Sequence, residues 1–169
     1  MERSLIGAYG PFAVEVLGDG PAELSFRNPR FTDVEAWRAE ARAKTAELLA
    51  QPDTGGTPET EVTGRATVDG VEVERLRWQL PYGPPTEAVL LKPEGAKGPL
   101  PGVLALHDHG GVKYFGWRKI ADDGRPAHPL MKMHREQCYS GRAWTNELAK
   151  RGYVVLCHDT FTFGSRRVL

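Results

Sequence analysis

The first sustained apolar periodicity in the chain is helical. Val34, Trp37, Ala41, Thr45 and Leu48 recur at three- and four-residue spacing, with Thr45 the one polar member. Thr32 and Glu35 have capping-box spacing, so a helix is predicted from Thr32 that ends before Pro52. Ahead of it, residues 1–30 are rich in Gly and Pro and weakly patterned, with one short strand predicted at 12–17. They read as an arm that packs on something else. The run PDTGGTP is a linker, so the predicted division is an N-terminal arm and helix over 1–57 and a second unit over 58–169.

After the linker the period changes. Residues 61–68 and 71–80 are β-rich and meet at Asp69-Gly70, a strong short-range hairpin signal. The apolar phase slips between Val73 and Leu76, which predicts a bulge near Glu74 and Arg75. A third strand follows at 86–91, closed by Lys92-Pro93. GVLAL, residues 102–106, is a continuous apolar run, as expected of a parallel strand buried on both faces, and YVVLC at 153–157 is another. The connection between them ends in a helix over 143–151, stopped by Gly152. Antiparallel strands followed by strand, helix and parallel strand predict the opening of an α/β sheet with right-handed crossovers.

Composition narrows the function classes. The 169 residues allow a sizeable core, and a mean hydropathy of -0.43 is that of an ordinary soluble domain. Lys+Arg 22 against Asp+Glu 22 gives a net charge of +0, without the broad basic bias that nucleic acid or an anionic membrane would attract. No apolar run is long enough to span a bilayer and MERSLIGAYGPF lacks a signal-peptide pattern, so a cytoplasmic protein is expected. Cys138 and Cys157 form no C-x-x-C and are expected as unpaired thiols, Cys157 buried in a strand.

The chemistry concentrates in LALHDHGG, residues 104–111. His107 and His109 would share one face of an extended segment and, with Asp108, His128 and His134, could form a metal cluster. Against this, Gly110 and Gly111 argue for a tight turn, and spacing fixes no third ligand, so no metal is assigned.

LALHDHGG, KYFGWRKI, His128-Pro129, CYSGRAW, ELAKRGYVVL and DTFTFGSRR together resemble the α/β-hydrolase superfamily, and most nearly its dienelactone hydrolase and acetyl xylan esterase-like branch. LSFRNPRFTDVEAWRAEARAK is similar to the leader that longer hydrolases of this kind carry. The likeness covers nearly the whole chain. It implies the N-terminal portion of an α/β-hydrolase sheet, antiparallel strands leading into a parallel sheet, preceded by a helical leader.

The resemblance also implies a mechanism. A serine on a strand-to-helix elbow attacks a carbonyl carbon, a histidine moves the proton, and an acidic residue orients the histidine. Backbone N–H groups stabilise the oxyanion, one from the residue after the serine and one from the loop that HDHGG resembles. The N–H of His109 is the leading donor, with Gly110 and Gly111 close behind, because glycine lets the backbone turn its N–H outward. His107 would brace the loop, its ring bonded to nearby backbone. Asp159 matches the aspartate that closes the next strand. Its implied role is structural, holding the turn and pairing with Arg166 or Arg167. The implied substrate is a small-molecule ester, with acetylated sugar, lactone and aliphatic ester all open, and the chemistry requires no cofactor.

No G-x-S-x-G occurs. Ser4, Ser25, Ser140 and Ser165 are the only serines, and Ser165 in FGSRR reads as an ordinary loop serine. The resemblance puts nucleophile, triad acid and triad histidine beyond Leu169, so the chain is expected to be the N-terminal half of a hydrolase, whether truncated, a fragment or one chain of a split enzyme. In the superfamily's sheet order GVLAL would then have an open edge, which invites a complementary C-terminal half or a homo-oligomer. The alternative is a non-catalytic binding or assembly domain that retains the fold.

The remaining side chains have simpler readings. Tyr114, Phe115, Trp117 and Trp144 either cover an acyl pocket or pack the core. Lys113, Arg118 and Lys119 form a solvated face. Met131, Met133, His134 and Tyr139 pack a lid-like connection, and Trp37 and Trp78 anchor cores.

Overall fold

Asp69 and Gly70 both take left-handed backbone, with φ of 47° and 76°. Such a pair matches the twist of the strands it joins. It folds β1 (Thr60–Val68) onto β2 (Val71–Trp78) in antiparallel register, Val68 opposite Val71 and Ala66 opposite Val73. β3 (Thr86–Pro93) pairs antiparallel with β2. The chain then enters β4 (Gly102–Ala105), leaves the sheet, and returns as β5 (Val154–His158), which runs parallel to β4 and antiparallel to β3. The five-stranded order is β1-β2-β3-β5-β4, so the α/β expectation holds.

The computed structural model describes residues 6–18 and 20–168, leaving Ser4 and Leu169 outside the described residues. It divides into two compact units, Met1–Pro52 and Asp53–Leu169. In the first, α1 (Gly10–Leu17) occupies the segment where a strand was expected. Phe12, Val14 and Val16 alternate as in a strand, but Pro11 in the first turn presets helical φ and Gly18 stops the chain at φ 72°. α2 (Val34–Leu49) starts one residue later than the capping-box spacing predicted. Asp33, not Thr32, is the cap, and its Oδ1 accepts from the N–H groups of Glu35 and Ala36 at 2.8 Å each. Trp37 anchors this unit, its ring 5.2 Å from Phe26 and its Nε1 donating to Leu24 O.

The core of the second unit lies under the sheet. Val71, Val73, Val89, Leu91, Val155 and Cys157 are buried together with Trp117, Ile120, Ala121 and Ala149. Ala149 belongs to α4 (Trp144–Lys150), which packs on β3 and β5. Thr145 Oγ1 donates to Ile120 O at 2.6 Å, and Asn146 exchanges two bonds with the backbone of Asp122, so α4 fixes the incoming connection.

Two strand details differ from the pattern. The register shift lies between Val62 and Gly64 of β1, opposite Leu76 and Arg75, so the extra residue is on the neighbouring strand rather than at Glu74 and Arg75. The GVLAL run is buried on one face only: Ala105 is buried while Leu104 is 62% exposed and Leu106 58%. Among the described residues β4 pairs only with β5, so its outer edge and one face are uncovered.

Candidate oxyanion loop

Beyond Ala105 the chain keeps its alternation for two residues and then turns. Leu106 points out and His107 points in, to 8% exposure. The His107 Nε2 accepts from the N–H of Thr160 at 3.3 Å and lies 3.0 Å from Thr160 Oγ1. Its proton therefore sits on Nδ1, 3.0 Å from Asp108 O. Burial lowers the His107 pKa, with the Asp108 carbonyl opposing, so the ring stays neutral between the ends of β4 and β5.

Asp108 is the centre of the loop's support. Its Oδ2 accepts from Tyr139 Oη at 2.5 Å and from His134 Nε2 at 3.0 Å, and its Oδ1 lies 3.6 Å from Lys119 Nζ. Burial alone would raise its pKa. The bonds from Tyr139 and His134 and the charge of Lys119 outweigh that and hold it at about 2. Tyr139 is correspondingly raised, by burial and by its bond to the carboxylate.

Lys119 corrects an expectation. It is not on a solvated face but is 0% exposed. Its Nζ bonds Asp108 O at 3.3 Å and His109 O at 3.5 Å and lies 4.6 Å over the Phe163 ring. It is rooted in a 3-10 turn, Trp117–Lys119, whose Trp117 packs in the core, and two carbonyls plus a carboxylate replace the water it has lost. The same turn is tied to α3 (Pro129–Tyr139). Arg135 of that helix reaches the carbonyls of Arg118, Lys119 and Ala121 at 2.6–3.2 Å. Lys113 is exposed and Arg118 is half-buried.

The two loop glycines have different tasks. Gly110 has φ 30°, and a Cβ there would collide with Asp108 Oδ1 and lie 2.6 Å from His134 Cε1, so a side chain is excluded by space as well as conformation. Gly111, at φ 72°, donates its N–H back to His109 O at 2.6 Å, and Val112 donates to Gly110 O at 2.9 Å. The N–H groups of His109 and Gly110 have no acceptor among the described residues. The His109 side chain is exposed, its ring 5.6 Å edge-on to Phe163.

Asp159 directly follows β5 and is buried, yet among the described residues it makes no ion pair with Arg166 or Arg167, contrary to expectation. Backbone donors satisfy it instead: Oδ1 accepts from Trp117 N at 2.8 Å and Oδ2 from Ser165 N at 2.7 Å. Arg166 turns to Thr86 Oγ1 at 2.7 Å and Arg167 to Gly164 O at 2.8 Å. Asp159 thus holds the turns on either side of the loop. Ser165 Oγ accepts from Glu87 N, the bond of a structural loop serine.

The aromatic set divides. Trp117 is core, Trp144 packs against the core, and Phe115 lies beside His128, which caps α3 through Nδ1 to Leu130 N at 3.2 Å. Tyr114 is exposed under Arg167. Met131 is buried and Met133 exposed on α3. His128 is thus a cap and His134 a carboxylate partner, and among the described residues no three His, Cys, Asp or Glu side chains group as a metal site would need.

Sequence reasoning missed Asp108, Lys119 and Tyr139 as one assembly. It also missed Cys138, whose Sγ lies 3.9 Å from His134 Nδ1. The four-residue spacing of His134 and Cys138 was the one signal available.

No family model and no curated protein matches the chain. Solved structures do match. A candidate acetyl xylan esterase from Bacteroides fragilis aligns with 98% of this chain and 40% of its own, at TM-score 0.69 and 19% identity. A glucuronoyl esterase from Solibacter usitatus aligns with 76% of this chain and 37% of its own, at TM-score 0.51 and 14% identity. This chain therefore spans well under half the length of either esterase and has part of the α/β-hydrolase-type fold that they share.

Proposed function

We propose that this chain supplies the oxyanion loop of a serine-dependent hydrolase of carboxylic esters or related acyl substrates, in the dienelactone hydrolase and acetyl xylan esterase-like branch. The nucleophile and the triad's acid and histidine come from residues outside this sequence, which has no G-x-S-x-G. The observation that carries the reading is the pair of N–H groups at His109 and Gly110, without acceptors among the described residues and backed by the half-buried Asp108 and its partners Lys119, His134 and Tyr139. As a serine attacks an acyl carbon, the carbonyl oxygen gains charge, and each preorganised donor aimed at it contributes about 10²–10³ in rate. His107 braces the loop through Asp108 O and Thr160, and Asp159 fixes the flanking turns. The esterase neighbours support a small-molecule ester as substrate. No step needs a cofactor, and two free thiols suit a cytoplasmic setting.

The uncovered edge of β4, with Leu104 and Leu106 exposed, is where a complementary C-terminal half or a second copy would pair. The same edge favours a second reading, a binding or assembly domain without chemistry of its own. The test is intact mass on protein from its native source, with p-nitrophenyl acetate turnover and labelling by a serine-directed fluorophosphonate. A longer species or tight partner chain that turns over repeatedly and takes the label supports the hydrolase. A native 169-residue species that does neither refutes it and leaves the assembly domain.

A further inference from the structure

α3 carries a thiol, Cys138, that the hydrolase reading does not use. Cys138 follows His134 by four residues, so the two share a helix face, with Sγ 3.9 Å from His134 Nδ1. The other ring nitrogen, Nε2, lies 3.0 Å from Asp108 Oδ2. An ionised carboxylate can only accept, so Nε2 carries the proton and the lone pair of Nδ1 faces the thiol. The ring cannot wander: His134 is 4% exposed, and Gly110 packs against its Cε1. Tyr139 Oη shares the same carboxylate oxygen and holds it in place. Burial lowers the Lys119 pKa, and its neighbours Asp108 and Cys138 oppose that shift. Cys138 itself is exposed, whereas Cys157 is buried in β5.

Thiol, imidazole and carboxylate thus stand in the order of nucleophile, base and orienting acid. We propose that Cys138 is a covalent acceptor for activated acyl groups, with His134 as its base and Asp108 as the positioning residue. The Cys138 sulfur attacks the acyl carbon of an activated ester while the S–H proton passes to His134 Nδ1. The C–O bond then breaks, the departing oxygen takes that proton from His134, and a thioester remains on Cys138. Every group lies in this chain, so the site stands independently of a serine supplied from elsewhere.

The experiment treats the chain with p-nitrophenyl acetate at neutral pH and follows acetylation by intact mass and peptide mapping. One acetyl group is expected on Cys138, released by neutral hydroxylamine as a thioester is, and absent in Cys138→Ser. Acetylation of Cys138 should be at least about tenfold faster in the native chain than in guanidinium, and His134→Gln should slow it about a hundredfold. Protection of Cys157 reports that each protein is folded. Acetyl groups only on amines, or a Cys138 rate that is equal in native and unfolded chain, overturns the proposal. The native-to-unfolded ratio needs no substitution, so a poorly folding His134→Gln cannot shield the idea. The fluorophosphonate label expected of a serine hydrolase does not report on this thiol, which keeps the two failures distinct.

Discussion

Replacing Asp108 with Asn isolates the energy stored in the loop's support. The carboxylate's pKa falls from 3.8 to about 2, because the bonds from Tyr139 and His134 and the charge of Lys119 overcome its burial. A carboxylate whose pKa is depressed on folding stabilises the fold above its unfolded pKa and loses that contribution as pH falls through the folded one. The shift of nearly two units corresponds to about 2.4 kcal/mol at pH 5 and above, at roughly 1.36 kcal/mol per unit. The side chain is 26% exposed, so solvent screening removes only part of this, and about 2 kcal/mol is expected. Most of it disappears between pH 5 and pH 2. The assay is urea unfolding of the wild type and Asp108→Asn at several pH values in that window, with equal m-values as the condition for comparison. Subtraction cancels the other carboxylates. The wild type should lose about 2 kcal/mol more than the variant across the window. Parallel pH dependences would refute the assignment of this energy to Asp108.

Three other perturbations probe the same region. Lys119→Met keeps the bulk of the side chain but removes the cation facing Asp108 Oδ1, and should cost about 2–3 kcal/mol in urea unfolding at neutral pH; an unchanged midpoint would show the ammonium to be dispensable. Gly110→Ala collides with Asp108 and His134 at a left-handed φ, and should destabilise the chain by about 2 kcal/mol while lowering kcat of any ester-hydrolysing assembly about a hundredfold, read by p-nitrophenyl acetate turnover. Burial pushes the Cys157 thiol up to about 12, so it should resist a disulfide reagent at pH 8 until the chain unfolds, as followed by thiol titration.

The parts of the fold legible in the sequence are those that local chemistry decides. Asp69-Gly70 is a turn whatever surrounds it, and the alternation of Val71 and Val73 needs only one buried face to become a strand. The segment at 12–17 shows the limit: its alternation is that of a strand, but a strand exists only with a neighbour, and Pro11 and Gly18 bound a helix that completes its own backbone bonds. GVLAL shows the converse. A continuous apolar run announces burial on both faces, whereas Leu104 and Leu106 have nothing over them in these described residues. The apolar run thus fixes the strand but not how many of its faces are covered.

The loop was legible by its glycines, and its support was not, for a reason of distance along the chain. Asp108 meets Lys119, His134 and Tyr139 across separations of 11, 26 and 31 residues. No periodicity links such positions, and a lysine beside an arginine in WRKI reads as solvated unless its turn is known to begin on a buried tryptophan. The same long-range logic explains why Asp159 takes backbone N–H groups from Trp117 and Ser165 instead of the adjacent arginines. Two fixed donors at 2.7–2.8 Å satisfy both oxygens without holding long, flexible side chains in place, so Arg166 is free to tie β3 through Thr86 and Arg167 to close its own turn on Gly164. Asp159→Asn tests this account, because an amide can accept at one position only. It should release one of the two turns and cost about 1–3 kcal/mol, whereas Arg166→Gln should leave the exchange protection of the Trp117 and Ser165 N–H groups unchanged. If Arg166→Gln exposed those amides as strongly as Asp159→Asn does, the carboxylate would depend on its arginine neighbour after all.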